Sequence, residues 1–132
     1  MQVLNFFSTV FADQMKRGRK TATIRLGDKR HKYRKNQVVL VTVGRQYSPR
    51  DKLFHAVIDH VEVKRVKELS PRDIEHDNPE FRRTEEIVHF MEGIYGREIG
   101  LEDTVTVVRF SQIVENPPDL QDRLRGVGGA EN

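Results

Sequence analysis

A chain of 132 residues with 36% hydrophobic and 33% charged residues is sized for one polar, compact domain and too short for two independent cores. It contains no cysteine, which excludes disulfides, thiolate catalysis and cysteine-ligated zinc or iron–sulfur sites. No apolar run approaches the roughly 20 residues of a membrane-spanning helix, and MQVLNFFSTVF lacks a basic leader and a small-residue cleavage site, so a cytoplasmic protein without a membrane partner is expected.

Val3 and Leu4 suggest a short opening strand, and Ser8 can cap a helix that carries Phe11 and Met15 one turn apart. Gly18 stands where a left-handed residue ends such a helix. Thr21 to Leu26 alternates, with Ala22, Ile24 and Leu26 on one face and Thr21, Thr23 and Arg25 on the other, the pattern of a half-buried strand. Val38 to Val43 reads VVLVTV, apolar on both parities, and predicts a strand covered on both faces at the centre of a sheet. From Leu53 to Val66 the apolar set changes parity, from Phe54, Ala56 and Ile58 to Val61 and Val63. One flat strand cannot bury both sets, so a bulge or bend is expected near Asp59 and His60.

The period then lengthens. Ser70 and Pro71 can open a short helical turn. Asn78 and Pro79 predict the start of a longer helix whose stripe of Ile87, Val88, Met91, Ile94 and Tyr95 ends at Gly96. Thr104 to Ile113 supplies a last strand. The order suggests an α+β fold, a small curved sheet or barrel of about five or six mostly antiparallel strands with two to three flanking helices. From about Glu115 the chain gains Pro117, Pro118, Gly126, Gly128 and Gly129 and loses bulky apolar residues, and is read as a flexible tail over 115–132.

Charge is segregated although the net value is only +3. Lys16 to Lys35 holds ten bases against the single acid Asp28, whereas Leu69 to Asp103 holds ten acids against four bases. One end of the fold can therefore attract phosphates, or the two segments can neutralise each other across a solvated surface. Within the basic segment, Gly18-Arg19-Lys20-Thr21-Ala22-Thr23-Ile24-Arg25 brings an ammonium, a hydroxyl and a guanidinium close to one turn. That set suits an anion, a carbonyl or a nucleobase edge.

Gly18, Lys20 and Arg25, spaced as Gly-x-Lys, four residues, Arg, resemble the signature of the ASCH domain, a PUA-like β-barrel. The resemblance covers residues 1–114 and leaves the tail outside. Arg19-Lys20-Thr21-x-Thr23-Ile24-Arg25 is similar, more narrowly, to the branch of small amidohydrolases that deacetylate N4-acetylcytidine. It implies Lys20 as base, Thr23 as nucleophile and a downstream carboxylate as proton donor. Asp77 stands at the position of the family's glutamate, with Glu75 two residues away as the other candidate. The resemblance also implies a cleft that binds RNA or a modified nucleoside, with Gly18, Arg19, Thr21, Arg25 and Asn78 around it. The basic arm, Lys29, Arg30, Lys32 and Arg34, would engage phosphates at its rim. Ribonuclease activity is the further alternative.

Plainer readings stand beside these. Lys20 and Arg25 can be solvated bases, or can form a structural ion pair with Asp77 and Glu75. Thr21 and Thr23 are ordinary strand residues. His31, His55, His60, His76 and His89 show no ligand spacing, so neither a metal nor a cofactor is expected. Tyr33, Tyr47 and Phe54 can stack on bases or simply pack. Lys20 and Thr23 differ in parity, so they meet only where the turn after Gly18 breaks the pleat. A monomer is the expected state.

Overall fold

The computed structural model describes residues 1–7, 9–45 and 48–114. The predicted Ser8 cap, the stacking candidate Tyr47 and the predicted tail over 115–132 lie outside the described residues. Five strands, β1 (Gln2–Phe6), β2 (Ala22–Leu26), β3 (Val38–Val43), β4 (Asp51–Arg65) and β5 (Thr104–Gln112), form one sheet in the order β1-β3-β4-β5-β2. The β1/β3 pair is parallel and the other pairs are antiparallel. Three helices flank it: α1 (Val10–Lys16), α2 (Pro71–Asp77) and α3 (Thr84–Tyr95), with a 3-10 turn at Val66–Glu68. This is a curled, barrel-like α+β sheet. Among the described residues no helix is long and apolar enough to cross a membrane.

β4 is the longest strand and the middle one, and the parity change in its sequence is realised as a bulge. Register shifts against β5 between Ile58 and His60, so Asp59 is passed over and the apolar residues on either side keep their faces. β3 is an interior strand, but Val38 is exposed and the central place falls to β4. Side chains of β5 feed two cores by simple alternation. Val108 and Phe110 join Leu4, Phe6, Phe11, Met15, Tyr33, Val39 and Val41 inside the curl, while Val105 and Val107 join Ile24, Ile74, Ile87 and Met91 beneath α2 and α3.

Two expectations need correction. β2 is not half-buried: Thr23, expected on the solvent side, is 4% exposed, because it pairs with Val108 and so faces the interior of the curl. The longer helix does not begin at Asn78 and Pro79. Asn78 ends α2, its N–H donating to Ile74 O, and its side-chain Oδ1 accepts the N–H of Glu80 in a turn. α3 starts at Thr84, where Glu86 Oε1 reaches back to accept the N–H groups of Arg82 and Arg83, the two residues just ahead of the helix. Ser70 opens α2 as expected, exchanging hydrogen bonds with Asp73.

Candidate functional site

The site begins at the end of α1. Gly18 adopts φ +73, a left-handed conformation that is cheap only for glycine, and the N–H groups of Arg19 and Lys20 both donate to Gln14 O. This compact turn sends Lys20 inward just before β2 begins. The residue is 2% exposed. Its Nζ donates to Ala22 O at 3.0 Å and to Asp77 O at 2.6 Å, and stands 3.5 Å from Asp77 Oδ2. It also lies 5.1 Å and 4.8 Å from the ring centroids of Phe6 and Phe11, within range of a cation–π attraction. Burial, the largest influence, holds the Lys20 pKa below its ordinary value; the Asp77 carboxylate opposes this and Arg25 adds to it.

Asp77 comes from the last turn of α2, the helix anchored at its other end by the Ser70 cap. Its Oδ2 accepts the N–H of Ile24 at 2.8 Å, so it satisfies a donor on the outer edge of β2 while facing Lys20. Tyr95, at the end of α3, serves the same edge, its OH accepting the N–H of Leu26 at 3.1 Å. Thr23 Oγ1 accepts a hydrogen bond from Arg25 Nε at 2.9 Å. The guanidinium then reaches the opposite edge strand, donating from Nη2 to Asn5 O at 2.9 Å and lying 4.9 Å from the Phe6 ring centroid. β1 and β2 are the two ends of the strand order, so Arg25 spans the unsealed seam of the curl.

A cavity of about 150 Å³ opens along this seam. That is comparable to engineered cavities that admit one benzene ring. Its floor is polar, made by Asn5, Lys20, Thr23, Arg25 and Asp77, and its walls include Phe6, Phe7, Phe11, Phe90 and Met91. Phe11 packs edge-on against both Phe6 and Phe90, fixing the wall. Phe7, Ile94 and Tyr95 are exposed cleft-lining residues that mark its mouth. Among the described residues no group of three or more His, Cys, Asp or Glu side chains is placed to hold a metal ion.

The sequence thus places Lys20, Thr23, Arg25 and Asp77 in one cleft, and the structure brings all four there. It separates the others. Glu75 is exposed and does not line the cleft, so of the two candidate carboxylates only that of Asp77 lies there. Asn78 is buried in the turn after α2, and Arg19 is exposed outside the cleft. Gly18 and Thr21 line a neighbouring groove instead. Lys29, Arg30, Lys32 and Arg34 do not reach the cleft: the arm leaves β2 at Gly27, binds Thr106 through the Lys29 N–H, and is pinned by Tyr33, which is 2% exposed in the core. That burial removes Tyr33 as a stacking platform. Arg30 is paired with Asp28. Lys20 and Thr23 share the cleft because Lys20 precedes the pleated part of the strand, yet among the described residues there is no hydrogen bond between them.

Sequence reasoning missed the aromatic wall, whose members come from three segments, β1, α1 and α3. The adjacent residues Asn5, Phe6 and Phe7 were the available signal, since two consecutive phenylalanines cannot both face one core from a strand.

Fold and site together make a small barrel-like domain with a ligand-sized cleft at its open seam. The fold is that of an ASCH domain. An ASCH domain from Lactobacillus crispatus JV V101 superposes with a TM-score of 0.63 at 13% identity, over 84% of this chain and 79% of that one. A protein of Enterococcus faecalis V583 assigned to the family DUF984 gives 0.65 at 16% identity, over 86% and 80%. A hypothetical protein, PH0355, gives 0.63 at 18% identity, over 86% of this chain and all (100%) of that one. No family model matches the sequence, and a search of curated proteins finds no match.

Proposed function

We propose that the seam cleft binds the base of a modified nucleoside, free or within RNA. The observation that carries this reading is the pairing of a ring-sized aromatic enclosure with a floor offering both donors and an acceptor: the Lys20 ammonium, the Thr23 hydroxyl, the Arg25 guanidinium and the Asp77 carboxylate. Apolar walls take the faces of a planar ring, and the few convergent polar groups read its edge. The test is calorimetric titration with N4-acetylcytidine, cytidine and uridine. Saturable binding of the acylated nucleoside, lost in Asp77→Ala, supports the reading; equal indifference to all three refutes it.

A second reading is amide hydrolysis of an acylated cytidine, and the specific observation in its favour is the buried amine of Lys20, held below its ordinary pKa beside a hydroxyl and a carboxylate. Thr23 Oγ would attack the acyl carbon while its proton passes to neutral Lys20. The C–N bond then breaks as the proton taken by Lys20 is relayed through the Asp77 carboxylate to the leaving amine, and water cleaves the acyl-threonine ester, releasing the acid and restoring Thr23. The geometry favours binding over turnover, because Lys20 Nζ is engaged by two carbonyls and Thr23 Oγ1 by Arg25. Release of cytidine from N4-acetylcytidine, abolished in Lys20→Ala with the fold retained, would reverse that order.

A further inference from the structure

Behind Lys20 lies a second concavity of about 400 Å³, lined among others by Gly18, Thr21, Arg72, His76, Arg109 and Ser111. Lys20 lines both spaces. We infer that this groove is a phosphate-binding site serving the nucleotide whose base enters the cleft, an inference that deepens the nucleoside reading by naming a phosphorylated ligand.

The argument rests on how Arg109 is held. It leaves β5 with its side chain one quarter exposed (25%), and Nη2 donates to the buried carboxylate of Asp73. Nη1 stands 2.8 Å from His76 Nδ1. A guanidinium has no acceptor and stays charged, so this contact requires an unprotonated Nδ1 and places the imidazole proton on Nε2. Asp73 is shared with Lys64 at 2.9 Å, so the carboxylate beneath Arg109 is already balanced by another cation. Two of the five guanidinium N–H groups are used in these contacts, and the rest of a rigid, oriented fork remains available.

The surroundings suit an anion. Arg72 lines the same groove from an exposed position, and the one acid among the lining residues, Asp59, accepts the hydroxyl of Ser111. Thr21 and Gly18 bring a hydroxyl and a side-chain-free turn, and a Cβ built on Gly18 meets nothing within 4 Å. The basic arm, by contrast, lines neither space. The source of the phosphate, a nucleotide monoester or the diester of an RNA strand, is for the experiment to separate.

The test compares N4-acetylcytidine, its 5′-monophosphate and a short single-stranded RNA containing it, with inorganic phosphate followed by NMR at the His76 ring. The monoester, the strand or both are expected to bind more tightly than the nucleoside, whichever gains identifying the source. Arg72→Gln and Arg109→Gln should each remove about tenfold of that gain, as loss of a charge-assisted hydrogen bond does, while nucleoside affinity and the control Arg97→Gln stay unchanged. Arg72 is exposed, so its variant keeps the test open should Arg109→Gln fold poorly. No gain from either phosphorylated ligand, a gain untouched in Arg72→Gln, or His76 signals indifferent to phosphate would overturn the proposal. If the nucleoside fails to bind while phosphate still moves His76 in the parent but not in Arg72→Gln, the cleft reading falls and the groove stands.

Discussion

Lys20 Nζ and Asp77 Oδ2 face each other at 3.5 Å with both side chains almost wholly withdrawn from water, at 2% and 6% exposure. Each group makes the burial of the other tolerable, and each is also tied to the backbone edge of β2. Removing one partner leaves the other charged and unmatched. Lys20→Met and Asp77→Ala are therefore expected to cost about 3–5 kcal/mol each, the range for breaking a buried pair. Asp77→Asn should cost less, because an amide oxygen still accepts the Ile24 N–H. Urea unfolding midpoints measure all three, and equal losses for the Ala and Asn variants would contradict the role given to that hydrogen bond.

Protonation of Lys20 gives the stability a defined pH dependence. Folding depresses its pKa below the unfolded value of 10.5, chiefly by burial. Between the two values the unfolded chain holds the extra proton, so stability rises with pH across that window. The contribution is complete above 10.5 and is lost as pH falls through the folded value. Urea midpoints taken from neutral pH upward should climb for the parent relative to Lys20→Met. A relative decline over that range would reverse the assigned direction.

How far the sequence reaches depends on whether a signal is local. The bulge at Asp59 is written in the parity change between Ile58 and Val61, because alternation along one strand is a local rule. Lys20, Thr23 and Arg25 are legible as a group since a turn and one short strand hold all three. Asp77 needs the family resemblance to join them across 53 residues to Ile24. The start of α3 is misread because Asn-Pro suits both a helix entry and a turn, and only the reach of Glu86 back to Arg82 decides between them. Arg109 and His76 meet across 33 residues, a contact fixed by the docking of α2 against β2, the strand paired with β5, and by no pattern in either segment. The arm deceives for a related reason: ten clustered bases announce a phosphate site, but burial of Tyr33 decides where the arm lies.

That placement separates two kinds of basic residue. Lys32 and Arg34 are exposed on a segment that lines neither the cleft nor the groove. The double variant Lys32→Ala, Arg34→Ala should keep its affinity for N4-acetylcytidine within about twofold, as expected of surface changes remote from a site. Calorimetry checks this. A larger loss would mean that the arm folds over the cleft when ligand binds.

Phe11 joins the stability of the cleft to its electrostatics. The ring is 7% exposed, packs edge-on with Phe6 at 6.3 Å and Phe90 at 5.6 Å between centroids, and presents its face to Lys20 Nζ at 4.8 Å. Phe11→Ala should cost about 3–5 kcal/mol, combining lost apolar transfer with an unfilled cavity. It should also admit water beside the amine, weakening the desolvation that depresses the Lys20 pKa and moving it back toward 10.5. Phe90 shares the wall but touches Phe11 and Phe81 in its ring contacts, with none to Lys20 among those described. Phe90→Ala should then lose comparable stability while leaving the amine's titration nearly in place. Following the Lys20 side-chain resonances with pH in both variants distinguishes the cases: an identical shift in the two would mean that general loosening of the wall, rather than the ring over the amine, governs its protonation.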